Sequence, residues 1–182
     1  HAHAAIKGID TSRAKAMPGV VAVFTGADID GKMGGLPCGW LITSTDGTPM
    51  KEPPHPILAI GKARYVGDQV AMVIADKLEQ AKNAAEAVEV DYDVLPAVID
   101  MREASKGPAL HDAAPDNHCY KWAIGDKGQV DAAFAQAAHV TKIDLTNNRL
   151  VPNAMEPRAA IGMYNRATEE YTIYVAKQNP HV

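Results

Sequence analysis

The stretch Lys62-Ala-Arg-Tyr-Val-Gly-Asp-Gln-Val-Ala-Met-Val-Ile-Ala75 constrains what this chain can fold into more than any other. It holds the longest β-prone apolar run, Val70 to Ala75, with Gly67 upstream and Asp76 as a stop. A run that is apolar on consecutive residues predicts a strand covered on both faces, and so a central one. Two further strand candidates bracket it, Val20 to Phe24 upstream and Val88 to Tyr92 downstream. A helix from Lys77 to about Val88 is expected before the second of these. Asp76 and Glu79 have capping-box spacing, and Leu78, Ala81, Ala85 and Val88 recur with helical period. Strand, helix and strand in succession predict a mixed α/β unit. Tyr65, Gly67 and Asp68 sit around a bend. The glycine predicts a bulge or a close backbone approach, and Asp68 has no His or second acid paired with it, so scaffold is the preferred reading.

The rest of the chain supplies shorter elements. Ala2 to Ile9 alternates as a strand, Asp10-Thr-Ser caps a short helix that Pro18-Gly19 ends, and Thr25-Gly-Ala-Asp28 starts another helical turn. With a free amine, His1-Ala-His3 could hold a square-planar copper or nickel ion, although a plain strand residue is the simpler reading of His3. From Gly31 to Pro56, five glycines and five prolines make a long irregular loop, the kind that serves as a lid or contact surface. It carries Cys38, Trp40 and His55, none with a visible catalytic partner.

Residues 105–125 have the composition of a linker, and the spacing of His111, His118 and Cys119 fits no ordinary metal template. Past it, Asp126 is expected to cap a helix carrying Val130, Ala133, Phe134 and Ala137 on one face. His139 to Asn147 alternates as a long strand. Ala159 to Tyr164 and Tyr171 to Ala176 predict an antiparallel pair joined by the polar turn Asn165 to Glu170. The expected organisation is a first domain over 1–104, a linker over 105–125 and the start of a second domain over 126–182.

Composition narrows the function classes. Of 182 residues, 47% are hydrophobic and 22% charged, which is enough apolar material for a globular core. A formal charge of −4 with no basic stripe gives no footprint for nucleic acid. No apolar stretch approaches the roughly 20 residues of a membrane span. Two cysteines without CxxC spacing point to neither a disulfide framework nor zinc, and a reducing, cytoplasmic setting is the expectation. The chain opens on His1 and closes on Gln178-Asn-Pro-His-Val182 directly after an apolar strand, so a fragment of a longer polypeptide is expected.

Several segments together resemble a known family. Met17-Pro-Gly-Val-Val-Ala-Val-Phe-Thr-Gly-Ala-Asp28, Val66-Gly-Asp-Gln-Val-Ala71, Val90-Asp-Tyr92 with Leu95-Pro96, and Ala109-Leu-His111 are similar to the opening of the molybdenum hydroxylase large subunits. That family includes xanthine dehydrogenase, aldehyde oxidoreductase and the molybdenum-type carbon monoxide dehydrogenase. Gly125-Asp126, Asn153-Ala-Met-Glu-Pro-Arg158 and Gln178-Asn-Pro-His181 resemble the start of its molybdopterin-binding region. The resemblance implies an α+β fold, an a/b hammerhead domain followed by the first β-rich segment of the molybdopterin-binding domain.

It also implies site residues. Gln178 would point its uncharged amide, both donor and acceptor, at the oxygen ligands of molybdenum. Glu156 and Arg158 would form a buried carboxylate–guanidinium pair that shapes the pocket wall. The implied cofactor is molybdenum-molybdopterin, in its cytosine dinucleotide form, with iron–sulfur clusters and FAD on partner subunits. The glycine-rich loop and late glutamate base of the family are not in these 182 residues, so this piece alone is expected to be inactive and to bind no cofactor. The implied parent oxidises an aldehyde, a heterocycle or carbon monoxide with oxygen from water. An alternative is a natural stand-alone assembly module that docks redox subunits through the loop from Gly31 to Pro56.

Overall fold

The computed structural model describes residues 1–147, 150 and 153–177. The chain divides into two units, His1–Asp126 and Lys127–Val182. In chain order the first unit runs β1 (Ala4–Asp10), α1 (Ser12–Lys15), β2 (Val20–Thr25), α2 (Gly26–Ile29), β3 (Lys62–Ala63), β4 (Ala71–Ala75), α3 (Leu78–Glu86), β5 (Glu89–Val94) and a 3₁₀ turn at Ala104–Lys106.

These strands form two small antiparallel sheets. One has the order β3-β1-β5, and the other is the pair β2-β4. The central strand is therefore β1, not the apolar run of β4. Residues along β4 alternate between half-buried and exposed, with Met72 46% and Ile74 42% accessible. The cause is the ribbon itself: β4 has one ladder neighbour, β2, in register Val23↔Val73 and Phe24↔Met72, and α3 packs against the pair. The expected β4-α3-β5 unit is also different in kind. Its two strands belong to separate sheets, and β5 pairs antiparallel with β1 through Ile6↔Tyr92 and Ile9↔Val90.

The core between α1, β2 and α3 is built from small side chains. Ala14, Val23, Ala84 and Ala87 are buried, with Met17, Val20, Val73 and Val88 packed on them. Alanine lets helix and sheet backbones approach closely. The buried face of α3 is turned from the expected one, because Ala84 and Ala87 are inside while Ala85 and Leu78 face solvent. Lys77 stands at the N-cap and Asp76 does not cap the helix. Instead the Asp76 N–H donates to the Gly19 carbonyl at 2.8 Å, tying the start of α3 to the turn before β2. Gly19 supports that turn with a φ of 77°.

The other short helices start as the sequence suggests. Asp10 Oδ1 accepts the Ser12 N–H at 2.8 Å, and hydrogen bonding from the Ser12 side chain and then from this N–H lowers the Asp10 pKa. Thr25 and Asp28 complete a reciprocal capping box, with the Thr25 N–H donating to Asp28 Oδ2 at 2.7 Å.

The loop between α2 and β3 has no strand beyond the bridge Thr43↔Pro49. The stretch with linker composition holds it. Thr45 N–H donates to the Lys121 carbonyl at 2.9 Å, Lys51 N–H donates to the Cys119 carbonyl at 2.8 Å, and Lys51 Nζ lies 2.7 Å from Asp116. Asn117, at a φ of 55°, organises the same stretch. Its Oδ1 accepts the Leu110 N–H, and its Nδ2 donates to the Ala104 and Pro108 carbonyls.

The second unit contains α4 (Lys127–Gln136) and the hairpin β6 (Ala160–Asn165) and β7 (Glu170–Val175). The hairpin register runs from Ala160↔Val175 to Asn165↔Glu170, matching the expected pair. Residues 139–147 were expected as a strand but have no ladder. Alternation writes a two-faced extended segment, and no neighbour pairs with it among the described residues.

Candidate functional site

Tyr65 to Asp68 fold into a tight turn. Gly67 has a φ of 98°, which favours glycine, and no atom crowds the position its Cβ would take. The bulge or close approach expected of it is therefore absent, and conformation alone explains the residue. The Asp68 N–H donates to the Tyr65 carbonyl at 3.2 Å, and Asp68 Oδ2 accepts the Arg64 N–H at 2.9 Å. A carboxylate bound to its own turn is a fastening, not a base.

Around this turn the fold gathers residues that lie far apart in sequence. A pocket of about 270 Å³ is walled by three prolines and by His55, Arg64, Tyr65, Asp68, His111 and Cys119. The Tyr65 hydroxyl lies 3.3 Å from His55 Nε2, and their rings meet edge to face. Burial, and then the Asp68 carboxylate, raise the Tyr65 pKa, while burial, and then the Arg64 cation, lower that of His111. Both groups are consequently uncharged at neutral pH. Arg64 Nε donates to the Leu110 carbonyl at 3.0 Å. The arrangement offers hydrogen bonds but pairs no nucleophile with a base. Among the described residues no three His, Cys, Asp or Glu side chains converge as a metal site.

His3 is likewise committed. It is 4% exposed, and Nδ1–H donates to the Pro96 carbonyl at 2.9 Å, so its ring is not free to chelate. The convergence on Tyr65 left no trace in sequence spacing. Asn117 alone had a local signal, as an Asn in a Pro-Asp-Asn turn that tolerates positive φ.

The residues expected to serve the cofactor lie in the second unit. Glu156 follows a bend at Met155, and Arg158 leads into β6. Both are exposed, and no ion pair joins them. No second layer covers this segment among the described residues. Arg158 is left without a carboxylate partner there. Gln178 lies outside the described residues, just past β7.

Against known proteins, residues 1–96 match the a/b hammerhead domain of aldehyde oxidase and xanthine dehydrogenase. The chain belongs to this family. Residues 110–182 match the molybdopterin cofactor-binding domain, so the two domain types follow in the expected order. The chain is 35% identical to the carbon monoxide dehydrogenase large chain of Afipia carboxidovorans, over 100% of this chain and 23% of that one. It is 33% identical to the nicotine 6-hydroxylase large subunit of Paenarthrobacter nicotinovorans, over 99% of this chain and 21% of that subunit. Its fold superposes on quinoline 2-oxidoreductase from Pseudomonas putida 86 with a TM-score of 0.82, at 32% identity, over 98% of this chain and 22% of the other. The chain thus spans less than a quarter of the length of these family members, and the α+β hammerhead fold is confirmed. No described helix is long and apolar enough to cross a membrane.

Proposed function

We propose that this chain is part of the molybdopterin-binding large subunit of a cytoplasmic molybdenum hydroxylase. The observation that carries the reading is the unbroken order of the two domain matches, 1–96 and 110–182, over nearly the whole chain. Residues 1–104 are the hammerhead domain, 105–125 join it onward, and 126–182 open the cofactor domain. The residue types fit the cofactor. Arg158 presents a guanidinium with no carboxylate partner among the described residues, which suits a phosphate-bearing ligand. Gln178 supplies an uncharged amide beyond the end of β7.

When bound, molybdenum-molybdopterin, in its cytosine dinucleotide form, supplies the two-electron oxidation of substrate with oxygen from water. In this reading the Gln178 amide orients the oxygen ligands of the metal, and Glu156 and Arg158 shape the pocket wall. The substrate is an aldehyde, a heterocycle or carbon monoxide. Iron–sulfur and FAD-bearing partner subunits carry the electrons away.

The test is the open reading frame beyond codon 182. A GGGFG-like loop and a late glutamate base are expected there, and a frame lacking both defeats the reading. In the complete subunit, Gln178→Ala should lower turnover by about 10-fold or more at unchanged molybdenum content, the scale seen when groups that orient metal ligands are removed. Full activity in that variant would remove Gln178 from the site. A second reading, a stand-alone module that docks redox subunits, draws on the exposed Leu36, Trp40 and Leu41 of the long loop. A native 182-residue product with its own start codon would favour it.

A further inference from the structure

We propose that Cys38 and Cys119, the two cysteines of the chain, form a reversible disulfide that staples the long loop to the 104–121 stretch. Both line one pocket of about 470 Å³, although they lie far apart in sequence. Each is tethered to the same short segment. The Cys119 carbonyl accepts the Lys51 N–H at 2.8 Å, and the Leu36 N–H, two residues before Cys38, donates to the His55 carbonyl at 2.8 Å. Gly35 lets that contact form, since a Cβ there would collide with the His55 carbonyl. Loop and stretch are thus already registered against each other on both sides of Pro53-Pro54.

The two thiols differ in access. Cys38 is exposed on a segment without regular structure, and its Sγ–H donates weakly to the Trp40 carbonyl at 3.3 Å. Cys119 is half-buried on a stretch held by backbone bonds. A low-molecular-weight disulfide such as oxidised glutathione therefore meets Cys38 first. The Cys38 thiolate attacks one glutathione sulfur, the glutathione S–S bond breaks, and one glutathione thiolate leaves. The Cys119 thiolate then attacks Cys38 Sγ and releases the second glutathione. Two protein thiols lose two protons and two electrons, and one glutathione disulfide becomes two thiols. Closing the bond requires the segment after Leu36 to bring the Cys38 Cα within about 7 Å of that of Cys119.

The experiment is oxidation of the reduced, folded chain with oxidised glutathione, followed by peptide mass mapping without reductant. The expected product is a Cys38–Cys119 linked peptide, two hydrogens lighter than the free pair, that reverts with dithiothreitol. In Cys119→Ser, Cys38 should instead retain glutathione. Proteolysis within residues 36–50 should slow about tenfold or more in the linked form, since opening of the loop then becomes constrained. The proposal is overturned if both cysteines carry only glutathione, if linkage occurs only between chains, or if the link forms as readily in urea as in the folded chain.

Discussion

In the first unit Ala84 is wholly enclosed by α1, β2 and its own helix. In the second, every described side chain of α4 and of the β6–β7 hairpin is exposed. Both units use short helices and short antiparallel strands, and both carry enough apolar residues to build a core. What separates them is coverage. The ribbon β2-β4 is no wider than β6-β7, yet α3 covers it, whereas Ile161, Ile173 and Tyr174 have no such layer among the described residues. A bare hairpin is marginal in water, so stability in this chain resides in the covered unit.

Overpacking tests that contrast most severely. Ala84→Leu forces three further carbons, a branch point and its two methyls, into a core filled by Ala14, Val23 and Ala87, and should cost about 1–3 kcal/mol in thermal or urea unfolding. Ala133→Leu on the exposed α4 should stay within about 0.5 kcal/mol. Equal effects would mean that the second unit has a core of its own. Amide exchange gives the same comparison without mutation, with slow exchange in β1 and β5 and fast exchange in β6 and β7.

Polar side chains in turns should follow the same order. Asn117→Ala strands the Leu110 N–H and two carbonyls, and it places alanine at positive φ, for about 1–3 kcal/mol. Asn165→Ala removes one bond, from the exposed Ala167 N–H at 3.0 Å, and should cost below about 1 kcal/mol. Unfolding midpoints of the two variants, measured under one condition, decide between them.

Local features of this fold were legible in the sequence. The alternation of β6 and β7, the positive-φ glycine after Pro18 and the Thr25–Asp28 box each depend on residues within a few positions. Pairing was not legible, because nothing within β4 or β5 states that one seeks β2 and the other β1. The apolar run at Val70 was over-read for that reason: burial of a strand depends on how many neighbours it acquires. The fastening of the long loop by 104–121 was hidden as well, since its backbone bonds use N–H and carbonyl groups that any residue supplies, and its side-chain pair, Lys51 with Asp116, joins positions far apart in sequence. Of the candidate site, Glu156, Arg158 and Gln178 came from resemblance, and periodicity alone would not have singled them out. The pocket at Tyr65 joins three distant segments and could be seen only in the folded chain.

The smallest expected effect concerns that fastening. The Lys51 ammonium, 2.7 Å away, and the His118 N–H hold the Asp116 carboxyl down at about 2, against an ordinary 3.8. A carboxylate whose pKa is lower folded than unfolded adds stability that is full above the unfolded value and fades as pH falls through the folded one. The clasp should therefore hold at pH 5 and above and loosen between about pH 4 and pH 2. Carbon-detected NMR of the Asp116 carboxyl should give a midpoint near 2, moving up toward 3.8 in Lys51→Met. Because both partners are solvated, salt should shift the midpoint in the same direction. A midpoint that ignores both the substitution and salt would show that Lys51 does not hold the 104–121 stretch through Asp116. The backbone bonds from Thr45 and Lys51 would then be sufficient.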